Sequence, residues 1–236
     1  MIGLAVNGCC GRMGSRIMAL AQADKEFRIV AGLEMKAHPR LGTVVNGIKV
    51  SDDLSAIEKA DVIIDFTAVQ ATMNMLGAAL KYKKALVIGT TGLNEQEIAA
   101  IERASRDIPI LFSPNMSVGV NLLFKLVNEA AAKLKGYKVR IKEAHHIHKK
   151  DAPSGTAKKI AQIIESETGS CVDDIESVRE GEIIGDHEVT FESDVDTVVL
   201  RHSAKTRDIF AKGSLQAAKW VAGRACGLFT MQDVIG

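Results

Sequence analysis

The fold is decided by the first strand and turn of the chain, Ile2-Gly-Leu-Ala-Val-Asn-Gly-Cys-Cys-Gly-Arg-Met-Gly14. Residues 2–7 form a short apolar run, which is typical of a buried strand, and residues 15–23 show helical periodicity. Between them, Gly8 permits a tight turn, Gly11 lets backbone approach a pyrophosphate, and Gly14 lets helix and strand pack closely. The spacing GxxGxxG in this context predicts a dinucleotide-binding turn.

An acidic residue after the second strand supports that prediction. The apolar run 28–33 ends at Glu34, 20 residues beyond Gly14. A carboxylate at this position can accept hydrogen bonds from the adenosine ribose hydroxyls. A 2′-phosphate would instead require a nearby cation, and here Met35 separates Glu34 from Lys36. We therefore expect NADH as cofactor, with NADPH also accepted.

Strands and helices continue to alternate through the first half of the chain. This spacing predicts a doubly wound parallel sheet of Rossmann type. Ligands bind such sheets at the carboxyl ends of the strands, so the polar turns at Thr67, 90–91 and 113–115 should line one cleft. The predicted elements are helices at 52–59, 70–81 and 94–106 and strands at 61–67, 85–89 and 108–112.

The second half of the chain predicts a smaller α+β domain. An amphipathic helix at 117–134 carries a core stripe that includes Leu123 and Leu126. The runs 182–192 and 195–202 are rich in alternating Val, Phe and Thr, which indicates a mixed or antiparallel sheet. The acidic segment 173–182 is expected to be an exposed connection. We expect residues 1–116 and 213–236 to form the dinucleotide-binding Rossmann domain, and residues 117–212 to form the substrate-binding and oligomerisation domain.

The densest group of reactive side chains lies in Glu143-Ala-His-His-Ile-His-Lys-Lys-Asp-Ala-Pro-Ser-Gly-Thr-Ala157. A predicted strand at 137–143 precedes it and a helical pattern over 157–167 follows it. Pro153 suits the first helical turn, with Asp151 or Ser154 as the cap. The amides of residues 154–156 would then be unpaired donors at the positive end of a helix, which predicts an anion site. The alternative interpretation is a solvated basic loop before a capped helix.

Composition excludes several classes of protein. The net charge of +1 argues against a nucleic-acid binder. No apolar run reaches the ~18 residues of a membrane span, and no signal-peptide pattern follows Met1. The four cysteines show no metal-ligand spacing, so we expect no metal site and a reducing, cytoplasmic setting.

With these motifs assembled, the chain closely resembles the 4-hydroxy-tetrahydrodipicolinate reductase family of diaminopimelate and lysine biosynthesis. The likeness runs nearly from end to end and is densest in the Glu143–Ala157 stretch. It departs from the family in a shorter segment at 169–177 and in Met35, where an arginine is common. Further segments that carry the likeness are Gly8–Gly14, Asp65-Phe-Thr67, Val87-Ile-Gly-Thr-Thr-Gly92, Asn115-Met-Ser-Val-Gly-Val-Asn121, Ser177–Glu188 and Gly227–Val234.

The resemblance implies a role for each matching residue. His145 would donate and accept a proton and Lys149 would donate one, while hydride passes from NADH or NADPH to ring C4 of a cyclic dicarboxylate. It also implies a homotetramer assembled through the sheet of the second domain. The implied substrate contacts are His146, Ser154, Gly155, Thr156 and Thr91. The implied cofactor contacts are Gly8, Cys9, Cys10, Gly11, Arg12, Met13, Glu34, Gly89, Thr90, Thr91, Ser113, Pro114, Asn115 and Met116.

Two other classes of function remain open at this point. A nucleotide-sensing module without catalysis would need only the first domain, and it has no use for the proton donors at 145 and 149. A different NAD(P)-dependent imine or amino-acid dehydrogenase on the same fold would keep both domains. A sugar dehydrogenase would not need the anion site. Oxidation of the nicotinamide on adding substrate distinguishes an enzyme from a sensor.

Overall fold

The computed structural model describes residues 1–236, which form two compact units. The first unit comprises Met1–Ser117 with Phe210–Gly236, and the second comprises Val118–Ile209. No helix combines the length and the apolarity needed to cross a membrane. In chain order the elements are β1 Ile2–Asn7, α1 Arg12–Ala23, β2 Phe27–Leu33, β3 Val44–Val45, β4 Ile48–Ser51, a 3-10 helix Leu54–Lys59, β5 Val62–Asp65, α2 Val69–Tyr82, β6 Ala85–Ile88, α3 Glu95–Ala104, β7 Pro109–Phe112, α4 Val118–Lys133, β8 Lys138–His145, α5 Gly155–Thr168, β9 Asp174–Arg179, β10 Asp186–Glu192, β11 Thr197–Ser203, α6 Asp208–Val221, β12 Gly227–Phe229 and α7 Met231–Ile235.

The first unit is built on an eight-stranded sheet in the order β12-β7-β6-β5-β1-β2-β4-β3. All neighbours pair in parallel except β3 and β4, which are antiparallel. Every residue of β5 and β6 is buried, as expected of parallel strands covered on both faces. The predicted Rossmann-type sheet is confirmed, whereas the β3–β4 hairpin and β12 were not predicted.

Register brings the ends of the central strands together. Asn7 at the end of β1 pairs with Leu33 on one side and with Asp65 on the other. Asp65 in turn pairs with Ile88, and Ile88 pairs with Phe112. The loops that follow five neighbouring strands therefore leave the sheet at the same edge, where ligands of such sheets bind.

Two glycines make the first turn possible. Gly8 has a φ of +74°, a left-handed conformation that favours glycine. A Cβ atom on Gly14 would lie 2.0 Å from the carbonyl oxygen of Gly8, so only glycine allows α1 to approach β1 this closely. The steric roles predicted for these two glycines are confirmed. The helix begins at Arg12, three residues before the predicted Ser15.

The second unit packs α4 and α5 against a four-stranded sheet in the order β11-β10-β8-β9. Strands β8 and β9 are parallel and the other pairs are antiparallel, which confirms a mixed sheet. The core is formed by residues such as Val127, Ile141, Ile160 and Phe191. Leu126, which was predicted in the core stripe of α4, is instead 40% exposed.

The prediction that 173–182 is only an exposed connection was wrong. Residues 174–179 form β9, which pairs in register with β8 from Arg140–Asp174 to His145–Arg179. Its acidic character does not prevent pairing because the charges lie on the solvent side: Glu176 forms an ion pair with Lys142 at 2.9 Å. This strand brings an arginine beside His145.

Candidate active site

A buried carboxylate fixes the strand ends of the first unit. Asp65 is fully buried and accepts hydrogen bonds from Asn7 Nδ2 at 2.9 Å and from the Thr67 hydroxyl at 2.6 Å. The Thr90 hydroxyl also reaches it, at 3.3 Å, and accepts a hydrogen bond from the Thr72 hydroxyl at 2.9 Å. Burial raises the pKa of Asp65, although the hydrogen bonds from Thr67 and Asn7 oppose that shift. This network links the ends of β1 and β5 to the turn that follows β6.

The glycine-rich turn and the acidic residue after β2 contact each other. Glu34 Oε1 accepts a hydrogen bond from the Cys10 amide at 2.8 Å, which places the carboxylate beside the turn. Among the residues predicted to contact the cofactor, exposure to solvent varies widely. Gly11, Arg12, Thr91 and Pro114 are exposed, Gly8, Cys10, Met13, Glu34, Gly89 and Asn115 are intermediate, and Cys9, Thr90, Ser113 and Met116 are buried.

Glu143 is the centre of the polar cluster in the second unit. Its side chain is fully buried and accepts hydrogen bonds from Arg179 Nη2 at 2.7 Å and Nη1 at 3.0 Å. It also contacts His145 Nδ1 at 2.5 Å and accepts a hydrogen bond from the Ser154 amide at 3.2 Å. Burial by itself would raise the pKa of Glu143, but hydrogen bonds led by those of Arg179 and His145 outweigh it and lower the pKa to about 2. The carboxylate is therefore ionised at neutral pH.

An ionised Glu143 determines the orientation and tautomer of His145. Because a carboxylate only accepts hydrogen bonds, Nδ1 must carry the proton, which leaves Nε2 as the atom that can take or give another. Nε2 faces Gly185, where an added Cβ would lie 3.0 Å away. Burial lowers the pKa of His145, Lys149 and Arg179 act in the same direction, and the hydrogen bond to Glu143 opposes them. Nδ1 is thus committed to Glu143, and Nε2 is the ring nitrogen left for another partner.

The start of α5 is joined to the same cluster. Ser154 caps the helix, because its hydroxyl accepts a hydrogen bond from the Ala157 amide at 3.2 Å. The hydroxyl also bonds to Nε2 of the buried His187 at 3.1 Å. Burial, followed by the charge of His145, lowers the pKa of His187 to about 4, so this ring is neutral at pH 7.

Two details of the predicted anion site were wrong. The Ser154 amide is not an unpaired donor, because it donates to Glu143. Pro153 does not lie in the first helical turn, because it precedes the Ser154 cap and the helix begins at Gly155. The positive end of α5 is thus presented by residues 155 and 156, after the cap.

The loop between β8 and α5 holds Lys149 in a defined position. Its Nζ lies 2.9 Å from the Asp151 carboxylate, so Asp151 pairs with the lysine and does not cap the helix. The Lys149 amide donates to the His146 carbonyl oxygen at 3.1 Å, and the His146 amide donates to the Ile183 carbonyl oxygen at 2.7 Å. His146 Nδ1 is buried without a hydrogen-bond partner in the structure. That orphaned ring nitrogen is a polar group to which a ligand could bond.

Sequence reasoning missed two members of this cluster. Arg179 and His187 both lie in the segment Ser177–Glu188, and nothing in that segment alone indicates a contact with Glu143 or with the cap of α5. Both become visible through strand register: Arg179 pairs with His145 across β8 and β9, and His187 pairs with Glu143 across β8 and β10. Without the pairing of strands, their separation along the chain conceals the contact.

The fold and the cluster together define a Rossmann-type oxidoreductase with a second unit that carries acid–base groups. Residues 2–116 match the family profile described as "Dihydrodipicolinate reductase, N-terminus", and residues 119–235 match "Dihydrodipicolinate reductase, C-terminus". The chain belongs to the dihydrodipicolinate reductase family.

Individual relatives agree over the whole length. The 4-hydroxy-tetrahydrodipicolinate reductase of Caldanaerobacter subterraneus subsp. tengcongensis is 40% identical, with 100% of this chain and 98% of the relative covered. The enzyme of the same name from Citrifermentans bemidjiense is 37% identical, with 100% and 99% covered. Among solved structures, a dipicolinate-bound dihydrodipicolinate reductase from a Paenisporosarcina species superposes with a TM-score of 0.85 at 25% identity, covering 98% of this chain and 97% of that one.

Proposed function

We propose that this protein reduces 4-hydroxy-tetrahydrodipicolinate to tetrahydrodipicolinate with NADH or NADPH, in the diaminopimelate and lysine pathway. The observation that carries the proposal is the Glu143–His145 pair. A buried carboxylate that fixes one histidine tautomer is a device for proton transfer, and a nucleotide sensor would have no need of it.

The first unit has the geometry that a dinucleotide requires. The left-handed Gly8, the close contact at Gly14 and the Glu34 carboxylate beside the turn fit a pyrophosphate and an adenosine ribose. We propose that the cofactor contacts predicted from the sequence act here, and that NADH is preferred because Glu34 would repel a 2′-phosphate. When bound, the reduced nicotinamide supplies the hydride.

The second unit is proposed to bind the dicarboxylate. The amino end of α5 at Gly155 and Thr156 attracts a carboxylate through the helix dipole, and His146 presents a buried ring nitrogen without a partner. Ser154 supports this end of α5 as its cap. A pyridine dicarboxylate, dipicolinate, is bound to the Paenisporosarcina relative, which supports a cyclic dicarboxylate as ligand.

Proton movement is assigned to His145 and Lys149. The substrate first loses its 4-hydroxyl as water and becomes a conjugated acceptor. Hydride then adds at ring C4, and the electron pair that this addition displaces takes up a proton at an adjacent carbon. Lys149 donates that proton, while Asp151 holds its ammonium in place at 2.9 Å. His145 exchanges a proton at Nε2, because Nδ1 is committed to Glu143.

The test is a coupled assay. Pyruvate, aspartate semialdehyde and the upstream synthase generate the unstable substrate, and nicotinamide absorbance is followed with NADH and NADPH in parallel. We expect oxidation of both cofactors, with the higher kcat/KM for NADH. Absence of turnover with either cofactor, in a protein that still binds NADH, would favour the sensing module. Turnover with other imines but not this one would favour a different dehydrogenase.

Assembly and location extend the proposal. Strand β11 lies at the edge of the second sheet, and Val199 on its outer face is 51% exposed. We propose that this face pairs with other copies to form a homotetramer, and that the enzyme works in the cytoplasm, where its four free cysteines stay reduced. Light scattering of the parent and of Val199→Glu tests the assembly: a parent that is monomeric would refute it.

A further inference from the structure

Three possible metal ligands meet in the turn after β1. The Sγ atoms of Cys9 and Cys10 lie 3.8 Å apart. These two atoms and a carboxylate oxygen of Glu34 all lie within 4.8 Å of one another. The hydrogen bond from the Cys10 amide holds Glu34 in this position. Spacing along the chain did not indicate the group, because 24 residues separate Cys10 from Glu34.

The sulfur separation has the size that tetrahedral zinc requires. Zinc–thiolate bonds of about 2.3 Å at the tetrahedral angle place two sulfur atoms about 3.8 Å apart. The observed separation equals that edge, so the two sulfur atoms need not move relative to each other. A carboxylate oxygen is also an accepted zinc ligand, and soft thiolates select zinc over magnesium or calcium.

We propose that Cys9, Cys10 and Glu34 form a binding site for a zinc-class divalent cation, with a fourth position open to water. The cation excludes the dinucleotide, because it occupies the turn and uses the carboxylate that would otherwise contact the ribose. The exclusion rests on the proposed function of the first unit, whereas the metal site itself does not.

Binding requires the two thiols to lose their protons. Burial, together with the neighbouring Cys10, raises the pKa of the Cys9 thiol to about 12, so without metal it is protonated at neutral pH. A divalent cation supplies the charge that stabilises both thiolates. Two S–H bonds break, two metal–sulfur bonds form, and two protons pass to the buffer, with no change of oxidation state.

Cobalt(II) reports on the site because thiolate coordination produces a charge-transfer absorption that imidazole coordination does not. The protein is titrated with Co²⁺ under a non-thiol reductant and then back-titrated with Zn²⁺. We expect the absorption in the parent and in the Cys171→Ala, Cys226→Ala double variant, whose replaced thiols are both exposed. It should disappear in Cys9→Ala and in Cys10→Ala.

Glu34→Gln tests the third ligand. This variant should keep the charge-transfer band but bind Co²⁺ at least about tenfold more weakly. Loss of a residue that only hydrogen-bonds to a metal ligand already weakens metal binding about tenfold or more, and loss of the ligand itself should cost at least as much. A band that survives in Cys10→Ala, or that vanishes only in the exposed-thiol variant, overturns the site. Equal Co²⁺ affinity in parent and Glu34→Gln removes the carboxylate from it.

Competition with the dinucleotide is measured separately by NADH fluorescence. With Zn²⁺ at about 100 times its own Kd, the apparent Kd for NADH should rise about 100-fold in the parent. In Cys10→Ala, the Kd for NADH with Zn²⁺ should stay within about twofold of the value that the same variant shows without metal. Unchanged NADH affinity at saturating Zn²⁺ refutes the exclusion. If the metal-free protein does not bind NADH at all, the proposed function fails while the cobalt result stands on its own.

Discussion

Replacing Glu143 with glutamine tests the centre of the proposed site, because the substitution keeps the shape and removes the charge. Glu143 receives both terminal nitrogens of Arg179 and Nδ1 of His145. Its pKa falls from an ordinary value of 4.5 to about 2, a difference that corresponds to about 3 kcal/mol in favour of the folded state. Because the folded pKa is depressed, this contribution is complete above pH 4.5 and is lost as the pH falls toward 2.

Because the pKa of Glu143 is lowered in the folded state, its contribution to stability should decrease as the pH falls. Between about pH 7 and about pH 3.5, the contribution of Glu143 should decrease from about 3 to about 2 kcal/mol. Glutamine does not titrate, so the difference in unfolding free energy between parent and Glu143→Gln should narrow by about 1 kcal/mol over this interval. Urea unfolding followed by circular dichroism at both pH values measures the difference. A difference that does not change with pH refutes the assigned pKa.

The same variant should impair catalysis. The amide oxygen can take the place of Oε1, which accepts from Arg179 Nη2 and the Ser154 amide. The NH₂ group then faces both Arg179 Nη1 and His145 Nδ1, so it loses one hydrogen bond and moves the ring proton to Nε2. We expect kcat to fall by about 10² or more while the Kd for NADH, measured by fluorescence, stays unchanged. Glu176→Gln is the matched control, because Glu176 forms an exposed ion pair with Lys142 in the same sheet. It should cost at most about 1 kcal/mol and leave kcat unaltered.

Three further substitutions separate the roles within the second unit. Lys149→Ala should lower kcat by about two to four orders of magnitude, and unchanged turnover would remove Lys149 from the mechanism. His146→Ala should raise KM for the substrate more than it lowers kcat, and the opposite pattern in steady-state kinetics would exchange binding and catalytic roles. Gly185→Ala places a Cβ 3.0 Å from His145 Nε2 and should lower kcat about tenfold by displacing the ring, with NADH binding as the control. Full activity in this variant would show that the ring position is not critical.

The Rossmann sheet was predictable from the sequence because its signals are local. Strands β5 and β6 are short continuous apolar runs, and each is followed by a helical period. The β3–β4 hairpin was not predicted because β3 has only two residues, Val44 and Val45, which are too few to show an alternating pattern. Strand β12 escaped for the same reason, since its three residues pair only with the distant β7.

Acidic composition misled the interpretation of β9. A charged run normally indicates solvent exposure, and one side of this strand is indeed exposed. Composition reports which side chains prefer water, whereas pairing depends on backbone groups that are the same in every strand. A segment that forms an edge strand can therefore carry the charges of a loop.

The candidate site was also only partly predictable from the sequence. Strand β8 alternates strictly, with Val139, Ile141, Glu143 and His145 all buried on one side. Period two thus places an acid and a histidine on the face occupied by two core residues, and a buried charge requires a partner. The sequence could indicate that Glu143 has a partner, yet not which one.

Arg179 is that partner because β9 pairs in parallel with β8 and aligns Arg179 with His145. A shift of one residue in that register would turn the arginine to the opposite face of the sheet and leave the carboxylate buried without it. The free energy of the buried ion pair consequently favours one register of β9 over its neighbours, and the same register orients His145. Stability of the second sheet and geometry of the proton-transfer group are therefore determined by one contact, which explains why a single substitution at Glu143 should change both.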